Sequence, residues 1–353
     1  MFRVMRNGAS GGTPRARLAA DALRSRLPPG WGVQLRPGAD DAGILTLRAP
    51  DGRRAKLRLI PRKQILPRDV ANILAQPSGL GERLIIAPFL SPRARELLAA
   101  AGASYADETG NLRVVVRDPA VFVESQGADR DPKRRPRPLQ SLKGAAAARV
   151  VRALCDFSPP YGVRTLAERS GTPLGTVSRV VSFLEGEAVI HRDEKKQILT
   201  VDRPALIQRW VADYSVTGSN VMRSYLEPRG LGALAPKLAS LARYAVTGSM
   251  AIPGSVAPAR LAAVYVDDAE DAAKTLELVP TEAGANVWLL EPFDAVVFER
   301  TRSVQLSSGT TIVAAALSQV AADLMTSPGR APQEAEALLA QMKGSEGGGR
   351  QKP

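Results

Sequence analysis

The sequence has very few of the residues that build disulfides and metal sites. Its 353 residues include one cysteine and one histidine. Cys155 therefore cannot form an internal disulfide, and its place on the apolar side of a predicted helix indicates a small core residue. A zinc site made of several cysteines, or a site rich in histidine, is excluded. We expect neither a metal ion nor another cofactor.

Long apolar runs are also missing. The basic N-terminus is not followed by the apolar segment of a secretory signal, and no apolar run is long enough to cross a bilayer. The hydrophobic fraction of 44% and the charged fraction of 24% are those of an ordinary globular protein. We expect two or three folded domains in the cytoplasm and no membrane partner.

Positive charge is abundant and unevenly distributed. The formal net charge is +13 at pH 7. Residues 1–63 contain 14 lysines and arginines against 4 acids, whereas residues 230–353 contain 10 against 13. This distribution favours a polyanion as the partner of the front of the chain.

The stretch from Thr172 to Leu184 predicts a helix with one apolar stripe. Thr172 suits an N-cap, and Pro173 suits the first helical position, where its missing N–H costs nothing. The helical period predicts a buried stripe of Leu174, Val177, Val180, Val181 and Leu184. The other side of the helix is small, hydroxylated and cationic, and it consists of Gly175, Thr176, Ser178, Arg179 and Ser182.

The neighbouring segments complete a recognisable order of elements. Val163 to Ser170 predicts a short helix that ends at Gly171 in the left-handed conformation. Residues 145–157 predict a supporting helix, and residues 188–192 and 197–201 predict a hairpin. This order resembles the winged-helix domains of bacterial regulators, and we assign residues 143–214 to such a domain.

The resemblance implies that the helix from Thr172 reads bases in the major groove while the wing contacts phosphates. Double-stranded DNA is therefore the predicted partner, and the nucleoid is the predicted location within the cytoplasm. The predicted DNA-binding residues of this domain are Arg164, Thr172, Gly175, Thr176, Ser178, Arg179, Ser182, Arg192, Lys195 and Lys196. The alternative is a winged helix that contacts only proteins, with Arg179 paired to Glu185 or another acid.

A basic, proline-rich segment precedes this domain. Linker character begins near Asp118, and we assign residues 125–142 as the linker. Its cations are Lys133, Arg134, Arg135 and Arg137. The segment is either a solvated spacer or a basic arm that crosses DNA phosphates, in which case these four residues also bind DNA.

Residues 15–124 predict an α/β domain in the order helix, three strands, helix, strand, helix, strand, after a flexible basic tail at residues 1–14. The segments 84–91 and 101–111 resemble the N-terminal region of AbiEi-type antitoxins of type IV toxin–antitoxin systems, which implies a restriction-endonuclease-like fold. A nuclease of that fold needs an acid on its third strand to hold Mg²⁺, but residues 56–63 carry cations instead. We predict a domain without catalysis, in which Asp107 and Asn111 shape a turn.

Residues 215–342 predict another α/β domain, in which a strand runs into Gly248 and Ser249, a second strand ends at Asp267, and residues 295–299 form a later strand. This pattern resembles a nucleotidyltransferase fold, which is also found at the C-terminal end of AbiEi-like proteins. Asp267 and Asp268 are adjacent, so they would point to opposite faces of a strand. We therefore predict no catalysis here, and a disordered tail at residues 343–353.

Together these patterns predict a multidomain α+β protein that is a DNA-binding transcriptional regulator, a repressor by resemblance, and not an enzyme. One alternative is an enzyme: a nuclease that uses Asp40, Asp41 and Lys63, or a nucleotidyltransferase that uses Ser249 and Asp267. Another is an antitoxin that acts by protein contact, with a toxin as partner. A homodimer is also left open.

Overall fold

The computed structural model describes residues 14–76, 82–133, 141–252 and 259–347. The chain divides into two compact units, Met1–Pro136 with Gly186–Ala188, and Arg137–Glu185 with Val189–Pro353. Each unit combines helices with a seven-stranded sheet, so the predicted mixed α+β class is confirmed. No helix in the described ranges has both the length and the apolar character needed to cross a bilayer.

Some predictions fall outside the described residues. Of the predicted basic tail, residues 1–13 lie outside them, and Pro14 already belongs to the first helix. Of the four linker cations, Arg134, Arg135 and Arg137 lie outside, whereas Lys133 is described.

The first unit is built on a sheet whose seven strands lie side by side in sequence order. These strands are β1 (Gly32–Pro37), β2 (Gly43–Arg48), β3 (Arg54–Pro61), β4 (Glu82–Ala87), β5 (Ser104–Asp107), β6 (Leu112–Val116) and β7 (Val121–Ser125). The β3–β4 and β4–β5 pairs are parallel, and the other neighbours are antiparallel. Parallel neighbours need a crossover connection, and the chain places helices at both of these positions.

The helices cover the two faces of this sheet differently. They are α1 (Pro14–Arg24), a short 3-10 helix (Pro67–Asp69), α2 (Val70–Ala75) and α3 (Pro92–Ala100). On one face α1 packs against buried side chains such as Leu45 and Leu57. On the other face α2 and α3 pack against Ile85 and Tyr105, which belong to β4 and β5. The second face of β1–β3 is therefore left largely uncovered by described residues.

The region predicted as linker is partly held against this unit. β7 lies within the segment whose proline content suggested an extended connection from Asp118 onwards. Beyond it, the Asn111 side chain accepts a hydrogen bond from the Gly127 N–H at 2.7 Å and donates one to the Ala128 carbonyl at 3.0 Å. Arg95 forms an ion pair with Asp129. These contacts correct the spacer interpretation for the chain up to Lys133.

The second unit contains a two-stranded and a seven-stranded sheet. Its helices are α4 (Ala145–Asp156), α5 (Val163–Ser170), α6 (Leu174–Gly186), α7 (Arg203–Val211), α8 (Val216–Ser219), α9 (Leu231–Lys237), α10 (Ala269–Thr275), α11 (Leu317–Met325) and α12 (Ala331–Gly347). Its strands are β8 (Ile190–Arg192), β9 (Ile198–Val201), β10 (Val221–Leu226), β11 (Tyr244–Thr247), β12 (Ala262–Val266), β13 (Val279–Pro280), β14 (Val287–Glu291), β15 (Arg302–Gln305) and β16 (Thr311–Ala314). The larger sheet has the order β13-β10-β14-β12-β11-β16-β15, and β8 pairs with β9.

One hydrophobic core runs through α4–α7 and the larger sheet. The helix α7 contributes the fully buried Trp210, and it packs against both α11 and α12. Polar contacts add to this core, because Arg149 of α4 pairs with Asp294 at 2.8 Å and Ser318 donates to Asp156 at 2.6 Å. The structure thus joins in one unit the two segments that the sequence suggested as separate domains at residues 143–214 and 215–342.

Two further elements differ from the prediction. Residues 295–299 were expected as a strand, but Ala295–Phe298 is a short 3-10 helix, because the Asp294 carboxylate accepts a hydrogen bond from the Val296 N–H at 3.0 Å and caps it. The helix α12 continues to Gly347, so the predicted disordered tail cannot begin at residue 343. Residues 348–353 lie outside the described residues.

Candidate nucleic-acid interface

The helices α5 and α6 are joined by the tight turn that the sequence predicts. Gly171 has a φ of 56°, the left-handed conformation that favours glycine, and it ends α5. The Thr172 N–H donates to the Ala167 carbonyl at 3.1 Å, which closes the turn. The helix α6 begins two residues later at Leu174. The bounds of α5 and the conformation of Gly171 are therefore confirmed.

The inner side of α6 forms part of the core of the second unit. Val177, Val180, Val181 and Leu184 are all buried, as the helical period predicts. Leu174 is the exception, because 48% of its surface is exposed. It occupies the first position of α6, beyond the edge of the core, and its prediction as a core residue is wrong.

Arg179 lies on the opposite, exposed side of α6. Its Nε donates to the Gly175 carbonyl and its Nη2 donates to the Thr176 hydroxyl oxygen, both at 3.1 Å. Neither partner is charged, and no described acid forms an ion pair with Arg179. The guanidinium is thus held along the first turns of α6 with donors left for another acceptor.

The neighbours of Arg179 make its surroundings accessible. Gly175, Ser178 and Ser182 are exposed, and Thr176 is half-buried. A Cβ atom built on Gly175 would meet nothing within 4 Å, so the backbone of the first turn is open to close approach. The structure therefore brings together on one surface five of the predicted residues, Gly175, Thr176, Ser178, Arg179 and Ser182.

Two of the predicted contact residues are largely buried. Thr172 is only 5% exposed, and its hydroxyl donates to the Ser170 carbonyl at 3.1 Å. Arg192 is mostly buried and pairs with Glu185, which links β8 to α6. As placed, Thr172 closes the turn and Arg192 stabilises the fold, so the prediction that they contact DNA is corrected.

The hairpin β8–β9 carries exposed lysines at its tip. The Asp193 carboxylate accepts a hydrogen bond from the Gln197 N–H at 2.8 Å, and the Lys196 N–H donates to the Asp193 carbonyl at 3.0 Å. These bonds define the turn, with Lys195 and Lys196 exposed on it. Arg164, in the first turn of α5, is also exposed.

Lys133 belongs to the first unit and is already engaged there. Its Nζ lies 2.6 Å from Glu108 Oε2, and Arg15 contacts the other oxygen of the same carboxylate at 2.9 Å. The hydrogen bond from Lys133 is the main reason why the pKa of Glu108 is lowered from its ordinary value. Most of the Lys133 side chain is nevertheless exposed.

The acids considered for nuclease chemistry are dispersed. Asp41 pairs with Arg15 at 3.3 Å. Asp40 lies exposed between β1 and β2, and Lys63 lies exposed just after β3. The strands β2 and β3 contain no acid. Within the described ranges, no three histidine, cysteine, aspartate or glutamate side chains group in a way that could hold a metal ion.

The acids considered for nucleotide transfer have separate roles. Asp267 forms an ion pair with Arg243, whose Nε lies 2.9 Å from Asp267 Oδ2. The Asp268 carboxylate accepts a hydrogen bond from the Asp271 N–H at 2.8 Å and caps α10. Ser249 lies in a short 3-10 helix after β11.

Asp107 and Asn111 shape a turn, as predicted. The Asp107 carboxylate accepts hydrogen bonds from the Thr109 N–H at 2.8 Å, from the Asn111 side-chain amide at 2.8 Å and from the Leu90 N–H at 2.9 Å. Both Asp107 and Asn111 are buried. Their polar groups are therefore used within the first unit.

Comparisons with known proteins give little further guidance. No protein-family model and no curated protein matches the chain. Among solved structures, a match was found to one described as "Structure of EndoMS in apo form", with 24% sequence identity and a TM-score of 0.17. It covers 29% of this chain and 48% of that chain. The support for the candidate interface therefore comes from the positions and contacts of its residues.

Proposed function

We propose that this protein is a sequence-specific DNA-binding transcriptional repressor, in which α4–α6 and the β8–β9 hairpin form a winged helix. The observation that carries this proposal is the exposed Arg179 guanidinium, whose hydrogen-bond partners among the described residues are the Gly175 carbonyl and the Thr176 hydroxyl. An arginine that lies on an exposed helix face beside small residues, and that pairs with no described acid, suits the major groove of DNA.

The shape of this surface supports direct contact with bases. The major groove is about 12 Å wide and admits one helix, provided that bulky side chains do not hold it away. On this side, α6 presents the small residues Gly175, Ser178 and Ser182. Arg179 could then donate two hydrogen bonds to O6 and N7 of a guanine, which is worth about 1 to 3 kcal/mol of discrimination between bases.

The rest of the second unit holds this surface in place. Arg149 and Arg152 of α4 are both hydrogen-bonded to residues beyond position 290. Arg192 fixes the hairpin to α6 through Glu185. A recognition helix that is supported in this way loses little conformational freedom on binding. Lys195 and Lys196 are then placed to contact phosphates, which position the protein without reading sequence.

The proposal includes the finer fold assignments. In it, the first unit is a restriction-endonuclease-like domain and the segment 215–342 is nucleotidyltransferase-like, both without catalysis. The ion pairs Arg15–Asp41 and Arg243–Asp267 support this, because each engages with a cation a carboxylate that a metal would need. An AbiEi-type antitoxin role, with control of a neighbouring toxin promoter, is the biological context that we propose.

Selection of binding sites from random duplex DNA, followed by Arg179→Ala, tests the function. The parent protein should enrich a defined site. Arg179→Ala should weaken binding to that site about tenfold or more and binding to random DNA much less, because phosphate contacts remain. Its melting temperature should stay unchanged, since the side chain is exposed. Arg330→Ala, which removes an exposed arginine of the same unit, is the matched control. An unchanged ratio of specific to random binding would make the winged helix a protein-contact module.

A further inference from the structure

The uncovered face of β1–β3 in the first unit is strongly cationic. Alternate residues of these strands point to opposite faces of the sheet, and one set, including Leu45, Leu57 and Leu59, is buried under α1. The other set faces away from α1. Its members are Gly32, Gln34, Arg36, Ile44, Thr46, Arg48, Arg54, Lys56, Arg58 and Ile60, of which Ile60 is half-buried against the core formed with α2 and α3. Five of these ten residues are cations and none is an acid, although acids make up 35 residues of the chain.

The strand register places these cations in rows. Arg48 lies directly opposite Arg54, Thr46 opposite Lys56, and Ile44 opposite Arg58. Arg36 lies opposite Ile44 from the other side. Neighbouring strands are about 4.8 Å apart, and the three cations of β3 span about 14 Å along the strand. The result is a flat, closely spaced array of positive charge.

The described acids do not neutralise the array. Arg36, Arg48, Arg54, Lys56 and Arg58 are all exposed, and no described acid forms an ion pair with any of them. By contrast, Arg53 at the adjoining turn pairs with Asp51 and Asp118. Like charges directly opposite each other destabilise a sheet, so the Arg48–Arg54 pair costs folding free energy. A partner that carries regularly spaced negative charge would offset this cost.

We propose that this face of β1–β3 binds the phosphate backbone of double-stranded DNA, as a second contact surface separate from α6. Rows of cations match the dense charge of a duplex. None of the ten outward residues is aromatic, which disfavours a single strand, because single-strand binders stack bases on aromatic side chains. Ile44 and Ile60 are the large apolar residues among them, and Ile60 is half-buried against the core formed with α2 and α3, so that Ile44 alone is exposed, which disfavours insertion into a membrane surface.

This surface contributes affinity without sequence preference, because phosphates are the same at every site. Its existence does not depend on the role of α6. A protein whose α6 contacts no base would still bind random DNA through β1–β3. Conversely, loss of this face would weaken specific and random binding by the same factor.

Combined substitution of Arg48, Lys56 and Arg58 by glutamine in the full chain tests the proposal. The probe is a random-sequence duplex, and its affinity is measured between 50 and 200 mM salt. If each side chain neutralises one phosphate, the slope of log affinity against log salt falls by about 2.7, and affinity at 0.1 M salt falls by about two orders of magnitude. The matched control replaces Arg17, Arg117 and Arg130, which are exposed in the same unit but lie off this face, and it removes the same net charge.

The melting temperature of the triple variant checks that it folds. It should stay the same or rise, because the repulsion between Arg48 and Arg54 is relieved. A salt slope equal to that of the control variant would overturn the proposal. It would also be overturned if vesicles of anionic lipid bound the parent protein and lost binding to the triple variant while DNA binding was unaffected.

Discussion

Arg152 of α4 donates a hydrogen bond to the Gln319 side chain of α11 at 3.2 Å, and it does so with only 1% of its surface exposed. The same guanidinium pairs with Asp156 at 3.1 Å and donates to the Val296 and Glu299 carbonyls. Removing one partner of a buried ion pair lowers the stability strongly, because the other charge is left buried without a partner. Arg152 therefore ties the proposed winged helix to the C-terminal part of the second unit.

We expect Arg152→Met to lower the free energy of unfolding by about 3 kcal/mol or more, since Asp156 would lose its charged partner in a buried place. Denaturant unfolding in a Trp31→Phe background, followed by the fluorescence of Trp210 and Trp288, measures this, because Trp31 lies in the first unit. Both tryptophans should report one transition, because they share one core. Arg164→Met, at an exposed site on α5, is the control and should change little. Separate transitions for the two halves would contradict the shared core.

Sequence patterns could predict the elements that are stabilised by local signals. The α5 bounds and the left-handed Gly171 follow from a short helix that ends in glycine, and they are confirmed. The strand at Tyr244–Thr247 is also as predicted, because a short, largely apolar run that ends at Gly248 is a local feature. The outward side of α6 was foreseen for the same reason, since the helical period fixes which side chains share a face.

Contacts distant in sequence could not be predicted. Arg149 pairs with Asp294, which lies 145 positions away in the sequence. The residues around either position show no pattern from which this pairing could be predicted. The division into domains consequently differs from the structure. The prediction that Thr172 contacts DNA is corrected, because Thr172 is buried and its hydroxyl donates to the Ser170 carbonyl. The sequence shows only that this hydroxyl can form a local hydrogen bond, and not which one. The strand β10 was not predicted, because the polar residues Arg223 and Ser224 interrupt its apolar pattern.

Lys133→Gln should raise the pKa of Glu108 towards its ordinary value, because the hydrogen bond from Lys133 is the main cause of its lowering. A carboxylate with a lowered pKa stabilises the fold above its unfolded-state pKa, and this contribution is lost as pH falls through the folded-state value. Melting temperatures between pH 3 and 7 should therefore fall less on acidification in the variant. An unchanged pH profile would show that Lys133 does not pair with Glu108 in solution. Lys133 would then be available to contact DNA phosphates, as the basic-arm interpretation of the linker requires.

Lys195→Gln with Lys196→Gln should weaken binding to specific and to random DNA by the same factor. Both side chains are exposed at the tip of the β8–β9 hairpin, where phosphates are the expected partners. The salt slope should fall by about 1.8 if each lysine neutralises one phosphate. Lys274→Gln, at an exposed site on α10, serves as control with a charge change of the same sign. A selective loss of specific binding would instead assign base contacts to the wing.

Incubation with plasmid DNA, labelled nucleotides and Mg²⁺ or Mn²⁺ should give neither cleavage nor nucleotide transfer. We expect this because Asp41 is paired with Arg15 and Asp267 with Arg243. Asp267→Ala should accordingly leave DNA binding unchanged and affect only the local ion pair. Turnover in the parent protein that disappears in Asp41→Ala or Asp267→Ala would replace the regulator proposal with an enzyme.

Leu174 should contact a thymine methyl group in the bound DNA. It is 48% exposed at the first position of α6, directly before Gly175, on the part of the helix that enters the groove in our proposal. Replacement of the contacted thymine by uracil removes one methyl group, worth about 0.8 kcal/mol or about fourfold in affinity. The parent protein should show this preference for thymine, and Leu174→Ala should lose it without a change in melting temperature.

Leu199→Ala is the matched control for Leu174→Ala, because Leu199 is also an exposed leucine but lies on β9. It should keep the thymine preference, since a side chain on the hairpin does not reach the groove occupied by α6. If the parent protein binds thymine and uracil sites equally at every position, Leu174 makes no methyl contact. Its exposure would then result only from its position at the start of α6, where the core ends and the first turn extends beyond it.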